Sequence, residues 1–553
     1  MGKFTKEIYA YAFKNSLDFG KADAGKVLPK LFQHGLEKGK IKDVIQEIQE
    51  VVKEVNSLSL DEKQKMFESY KEYVVEHEEK ERELPELENA NSKSVFRVAP
   101  FPSGALHIGN AKTYLLNALY AEKYGAKTLL VMDDTIGSVE KPLTKEAYKL
   151  IKDGLDWLDI KYEKKIVYKS DRLKIYYKYA LELIKKDKAY VCHCTQGELK
   201  KNREKGIECG CRQFPVAIQE KRWKDMFVEK EGDAVLRIKT DMRHKNPAFR
   251  DRVLFKISDR KHPRVGNKYR IWPSLEMSWA VDDYELGITH ILRGNDMMME
   301  GEMENYIWDI FSWKKPRIYH TGLINIEGMG AKISKSKAQK EVNSGEFTGW
   351  DDPRTWSLQS LKRRGFKKES LREFVKEIGL NKQDITIPVD NLYAINRRLI
   401  DQEAERYSFV ENPVKLEINN KPKLEGVFIP VHPDKEKTRE IFINDLFISK
   451  QDFDSLKGQE IRLQHLFNIK LGKKIEYTDS ENKDIKRINW VSESVVSRIL
   501  MADGTWKMGL AESAVKNLKK GKVIQFERFG FVRFDGMKKS GKDEVYEFWF
   551  AHK

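Results

Sequence analysis

The stretch from Phe96 to Asn110 reads FRVAPFPSGALHIGN. A short apolar strand, Val95 to Ala99, runs into a loop punctuated by Pro100, Pro102 and Gly104. A helix is expected from near Leu106 through Ala111 to Lys123. Strand, glycine-containing turn and helix start present backbone N–H groups and the positive end of a helix dipole, a setting suited to a phosphate. Ordinary strand-to-helix turns share that geometry, so alone it does not single out a site. The quartet His107-Ile108-Gly109-Asn110 gains weight from a second stretch, Lys332-Ile333-Ser334-Lys335-Ser336, flanked by Gly328, Gly330 and Gly345. Lysines on such a loop can close over a pyrophosphate leaving group and stabilise charge that develops in a transition state.

Three other groupings could do chemistry. Asp133-Asp134 follows the apolar run Lys127 to Met132, where the carboxyl end of a buried parallel strand would hold them; an acidic pair there suits an ammonium group or caps a turn. Arg293 ends the run Gly287 to Gly294, and an arginine so placed can clamp a carboxylate with two N–H groups or form a surface ion pair. All four cysteines fall in one window, Cys192 and Cys194, fourteen residues, then Cys209 and Cys211. Two close pairs joined by a short loop can wrap four thiolates around Zn²⁺, a structural site because no position stays open. Without metal they would be reduced core thiols. His193 is read as a neighbour, not a ligand.

The elements that must position these groups change along the chain. Residues 1–92 read as a helical extension, with apolar residues at helical spacing through Ile8, Tyr9, Tyr11 and Ala12 and through Val44, Ile45, Ile48, Val51 and Val52, and with Ser59 as a helix cap. Residues 93–190 alternate strands and helices, an α/β pattern. Residues 191–265 carry the cysteine cluster and are strand-rich and basic over 212–260. Residues 266–340 return to the α/β pattern, 341–400 read as a helical connector, and 401–553 turn all-β. Near the end, Gln525 to Arg533 interleaves aromatics with cations, as surfaces that stack unpaired bases do; individually most of these residues also read as strand core.

The totals agree with a multidomain protein. The chain has 553 residues, 40% hydrophobic and 11% aromatic, and a formal net charge of +16 with both signs abundant. That excludes a disordered chain, and the basic excess suits a polyanion such as RNA. No signal-peptide pattern or long apolar run is present, and four cysteines argue against a secreted disulfide framework, so a cytoplasmic protein is expected. Nothing points to an extensive subunit interface, so a monomer is expected.

His107-x-Gly109 with Lys332 to Ser336, followed by Gly349-Trp350-Asp351-Asp352-Pro353-Arg354, resembles the paired signatures of class I aminoacyl-tRNA synthetases. Gly287 to Gly294, the helical extension with Lys14-Asn15 and Gly25-Lys26-Val27, and the β-rich ending make it similar to the archaeal and eukaryotic type of glutamyl-tRNA synthetase. The resemblance spans nearly the whole chain. It implies a Rossmann-like nucleotide fold in two halves, 93–190 and 266–340, with 191–265 an inserted domain that holds the tRNA acceptor end, and β-barrels over 401–553 that read the anticodon, as in glutaminyl-tRNA synthetases. It implies ATP, glutamate and tRNA as substrates, with Mg²⁺ on the nucleotide. By resemblance, His107, Gly109, Asn110, Lys332 and Ser334 meet ATP and Lys335 the pyrophosphate, with His107, Asn110 and Lys335 catalytic. Asp133 would hold the substrate ammonium, Arg97 and Arg293 its carboxylates.

Several positions depart from the family pattern. Asn110 stands for a histidine, Phe101 for a small polar residue, Leu275 for a tyrosine, Trp279 for a small or polar residue, and Val131 for an arginine; Ile136-Gly137 replaces Asp-Pro. Apolar bulk around an acidic substrate leaves two further readings open: a paralogue choosing another amino acid such as glutamine, and a tRNA-binding protein without catalysis.

Overall fold

Apolar periodicity builds the N-terminal helices. In α1 (Thr5–Phe19) Ile8, Tyr11 and Ala12 are buried, in α2 (Ala24–Leu31) Val27 and Leu31, and in α3 (Ile41–Ser57) Val44, Ile48, Val51 and Val55. Spacings of three and four put each set on one helix face. α4 (Leu60–Tyr70) starts with a full capping box: Ser59 Oγ accepts from Glu62 N at 3.4 Å and the Glu62 carboxylate accepts from Ser59 N at 2.9 Å. Two otherwise orphaned N–H groups are satisfied. The computed structural model describes residues 2–74, 83–137, 142–328, 335–541 and 543–553. It divides into two units, Met1–Arg82 with these helices and Glu83–Lys553 with everything that follows.

In the second unit, β1 (Val95–Val98), α5 (Ile108–Tyr124), β2 (Lys127–Met132), α6 (Lys145–Trp157) and β3 (Val167–Tyr168) form a parallel β1-β2-β3 sheet with its crossover helices. α7 (Leu173–Lys185) leads into β4 (Ala189–Cys192), α8 (Gln196–Lys205), α9 (Val216–Asp225), β5 (Val235–Ile238), β6 (Val253–Ile257) and β7 (Ile271–Pro273). Here β4 to β7 pair antiparallel in chain order. The expectation of a strand-rich 212–260 is corrected at α9, where Gln219 and Trp223, four residues apart, are buried on one helix face.

The chain then returns through α10 (Leu275–Glu285), β8 (His290–Gly294), α11 (Met298–Phe311) and β9 (Arg317–Thr321), with β8 and β9 parallel. Thr289 joins the halves: its N–H donates to Val95 O, and Val95 N–H donates to its Oγ1, both at 2.9 Å. The N-terminal ends of β1 and β8 therefore meet; open α/β sheets bind ligands beyond the carboxyl ends of such strands.

β10 (Ile324–Glu327) and β11 (Ile385–Pro388) form a parallel pair; between them lie α12 (Lys335–Asn343), α13 (Leu358–Arg364) and α14 (Lys368–Ile378), and α15 (Val389–Ile400) follows. Beyond it a seven-stranded sheet begins with Arg406–Tyr407 at one edge and ends with Phe409–Glu411 at the other. Only Ser408 separates these edge strands in the chain, so the sheet must curl until its edges nearly meet. A five-stranded sheet lies between its strands in sequence, from Ile418–Asn419 to Lys486–Ile488. No helix among the described residues is long and apolar enough to cross a membrane.

Candidate active site

Helix α5 is capped by His107. Its Nδ1 accepts from the N–H groups of Gly109 (3.1 Å) and Asn110 (3.4 Å), so the ring proton of the neutral imidazole sits on Nε2. A Cβ on Gly109 would lie 3.1 Å from the imidazole, so a larger residue there requires the His107 ring to shift. Asn110 Oδ1 is buried and accepts no hydrogen bond from the described residues, leaving an amide acceptor at the helix start. Lys112, one turn in, is buried and donates to Gly322 O at 2.6 Å; burial pushes its pKa down to about 8.

The loop before the helix is gripped from a distance in sequence. Leu358 N donates to Leu106 O at 2.8 Å, Ser357 bridges His107, and Trp350 lies against Gly104. A Cβ on Gly104 would overlap the Trp350 ring at Cη2 and Cζ2. Gly104→Ala is therefore expected to destabilise the protein by about 1–3 kcal/mol, and Trp350→Leu in the same chain to restore part of it. Denaturant unfolding of the single and double variants measures this; equal loss in both would show that the overlap is not the cause.

The two aspartates after β2 separate in role. Asp134 is scaffold: it accepts from Ser170 N (2.9 Å), Ser170 Oγ (2.7 Å) and Tyr148 Oη (3.0 Å). Asp133 has other partners: Trp279 Nε1 donates to its Oδ2 at 3.2 Å and Lys169 Nζ lies 2.9 Å from Oδ1. Lys169 also donates to Ser278 Oγ at 2.9 Å.

Both arginines are buried, and each already has a carboxylate of the protein. Arg97 Nε and Nη2 donate to Asp283 at 2.5 and 3.0 Å, and Arg293 Nη1 and Nη2 donate to Glu304 at 2.9 and 2.8 Å. Two cations lie against the Trp279 ring: the Arg97 guanidinium carbon is 3.3 Å from the ring centroid and Lys169 Nζ is 4.5 Å from it. Asp283, Glu304, Lys169 and Trp279 complete this network. Helical spacing marks Asp283 and Trp279 as neighbours on α10, but only the fold shows what they face.

Next to it a cavity of about 470 Å³ is lined by Phe101, Asp133, Leu275 and Glu276, together with Arg203, Arg252 and Lys256 from the β4–β7 region. Phe101, Asp133 and Leu275, distant in sequence, are thus brought together. Lys332 and Ser334 lie outside the described residues. Lys335 opens α12.

The cysteines also converge. The four Sγ atoms lie within 4.8 Å of one another, Cys192 and Cys209 at 3.6 Å. Arg237 Nη1 lies 3.8 and 3.7 Å from those two sulfurs, and Tyr190 Oη 3.6 Å from Cys209. A hydrogen bond with Cys192, aided by Tyr190 and Arg237, lowers the Cys209 pKa. A soft tetrathiolate set with a cation beside it fits a tetrahedral zinc ion. His193 instead pairs with Glu229 at 3.1 Å.

Residues 93–402 match the family described as tRNA synthetases class I (E and Q), catalytic domain, and residues 404–490 and 471–535 match anticodon-binding domain families of the same class. The chain is 42% identical to a glutamate–tRNA ligase of Pyrococcus abyssi, over 95% of this chain and 96% of the relative. It is 41% identical to that of Pyrococcus furiosus over 98% of each, and 38% identical to that of Methanocaldococcus jannaschii over 96% and 97%.

Proposed function

The chain belongs to the class I (E and Q) tRNA synthetases, and from that premise we propose that it is a glutamate–tRNA ligase, activating glutamate with ATP and transferring it to the 3′ end of tRNA. The observation that carries this reading is identity of 37–42% to glutamate–tRNA ligases over at least 95% of the chain.

The glutamate carboxylate attacks the ATP α-phosphorus, pyrophosphate leaves, and the terminal ribose hydroxyl of tRNA then attacks the adenylate carbonyl and expels AMP. No protein nucleophile is required, so catalysis rests on position and charge. The ATP phosphates lie at the start of α5. There His107 Nε2–H donates, Gly109 lets the backbone approach, and Asn110, whose Oδ1 has no partner among the described residues, bonds nucleotide; unlike an imidazole it carries no charge. Lys332, Ser334 and Lys335 draw on pyrophosphate. Mg²⁺ accompanies the nucleotide. Asp133 holds the substrate ammonium alongside Phe101, Leu275 and Trp279, and Arg97 and Arg293 serve its carboxylates.

The β4–β7 region supports the acceptor end and the two all-β sheets receive the anticodon. Cys192, Cys194, Cys209 and Cys211 hold a structural Zn²⁺, which cross-links the loop after β4 to the segment before α9.

Pyrophosphate exchange with each of the twenty amino acids, with and without tRNA, tests the reading. Glutamate-dependent exchange in the presence of tRNA is expected. Exchange with another amino acid favours the second reading, altered choice, to which Trp279 beside Asp133 lends support; none at all favours a binding protein.

A further inference from the structure

Arg237 is a buried charge among sulfurs and apolar groups. It sits in β5 directly opposite Tyr190 of β4. Alternation along β4 then puts Tyr190 and Cys192 on the same face of the sheet as Arg237. Cys209 joins them there, its Sγ 3.6 Å from that of Cys192, and Leu199 and Val235 pack against the pair. A charge in such surroundings is retained only where something of opposite sign faces it.

The neighbouring carboxylate is already balanced. Asp251 accepts from Arg212 Nη1 at 2.5 Å, from Thr240 N at 2.7 Å and from Tyr190 Oη at 2.9 Å. To Arg237 it offers only its main-chain oxygen, which accepts from Nε at 2.7 Å. Arg237 Nη2 is buried and has no hydrogen-bond partner among the described residues, so neutral acceptors do not account for the side chain. What remains is sulfur: Nη1 lies 3.8 Å from Cys192 Sγ and 3.7 Å from Cys209 Sγ. Tyr190 cannot take this part. Its one hydroxyl proton goes to Asp251, the shorter of its two contacts, the other being Cys209 at 3.6 Å. Four neutral thiols would leave Arg237 uncompensated, whereas four thiolates around a divalent ion keep a net negative charge.

We propose that Arg237 is the counter-ion of the four-cysteine metal site, a positioning residue that sets zinc affinity by balancing the thiolates and by tying Cys192 and Cys209 to the sheet through Nη1. This rests on the zinc reading above. It makes the metal and the arginine mutually dependent, because either one without the other leaves buried charge unbalanced. A role confined to packing creates no such dependence.

The test uses the full chain prepared without chelator, with Zn²⁺ then competed away by a chromophoric chelator. Arg237→Gln, which keeps an N–H donor and loses the charge, should weaken zinc binding by about 10- to 100-fold. Arg237→Lys should recover part of that loss. Denaturant unfolding gives the second readout. Loaded with zinc, Arg237→Gln should unfold at lower denaturant than wild type. Stripped of zinc, it should unfold no earlier than stripped wild type, because the charge that lost its counter-charge is gone. Unchanged zinc affinity overturns the proposal, and so does a lysine variant that binds zinc no better than the glutamine one. Equal loss of stability with and without zinc, or a glutamine variant that folds in neither state, also overturns it by assigning Arg237 to the fold alone. A wild-type chain that takes up no zinc overturns the zinc reading itself, before any variant is made.

Discussion

Asp283→Ala is expected to be the most damaging single substitution near the site. It would leave the Arg97 guanidinium buried against Trp279 with no carboxylate, at a cost of about 3–5 kcal/mol. Asp283 is 1% exposed, so water cannot replace it. The loss should show as a lower denaturation midpoint and as near-complete loss of glutamate activation, because Arg97 lies in β1 directly before the loop that leads to His107. The paired variant Arg97→Met/Asp283→Leu separates two effects. Removing both charges should recover much of the stability, since a buried pair replaced by apolar groups is often neutral. It should not recover activity if the charge network sets the shape of the pocket. An Asp283→Ala chain within about 1 kcal/mol of wild type would show that the pair is not held as described.

Cys209→Ser is the second large effect. Protein prepared without chelator should carry close to one zinc per chain, and the variant well below half of that. Binding to four thiolates is worth on the order of 10 kcal/mol in small zinc domains, so losing one ligand should loosen the surrounding fold. Arg237 would suffer first. It is 1% exposed, and the thiolates are charges it faces besides Asp251. Elemental analysis with limited proteolysis around residues 193–215 measures both consequences. Wild-type protein with less than a few tenths of an equivalent would remove zinc from the account, leaving four reduced thiols.

Local features were the most legible. The Ser59 cap depends on residues three apart, and the helix that follows the first strand on residues within one turn of His107. Both could be read from order alone because the interacting groups are chain neighbours. The cysteine cluster was legible for a related reason: a short loop brings its pairs together almost regardless of what surrounds them. Helix α9 was missed because Gln219 and Trp223, its buried residues, lie among charged neighbours that blur the period. The β-rich ending was plain in its alternation, but the near-closure of the large sheet was not, since it follows from which strands become its two edges.

By itself, then, the chain determined what lies within a few residues: the turn and helix around His107, the clustered thiols, the apolar strands and the change to β-structure after residue 400. Tertiary structure decided the rest of the site. Arg97 and Asp283 are 186 residues apart, and no local pattern announces that each neutralises the other. The same holds for Trp350 against Gly104, for Lys169 against Asp133, and for the placing of Arg203 at a cavity lined by Phe101 and Leu275. An arginine's availability to a ligand depends on which carboxylates the fold sets beside it and on how much water it excludes. Those are properties of packed surroundings. Residue type supplied the charge, and the fold decided where that charge was already balanced.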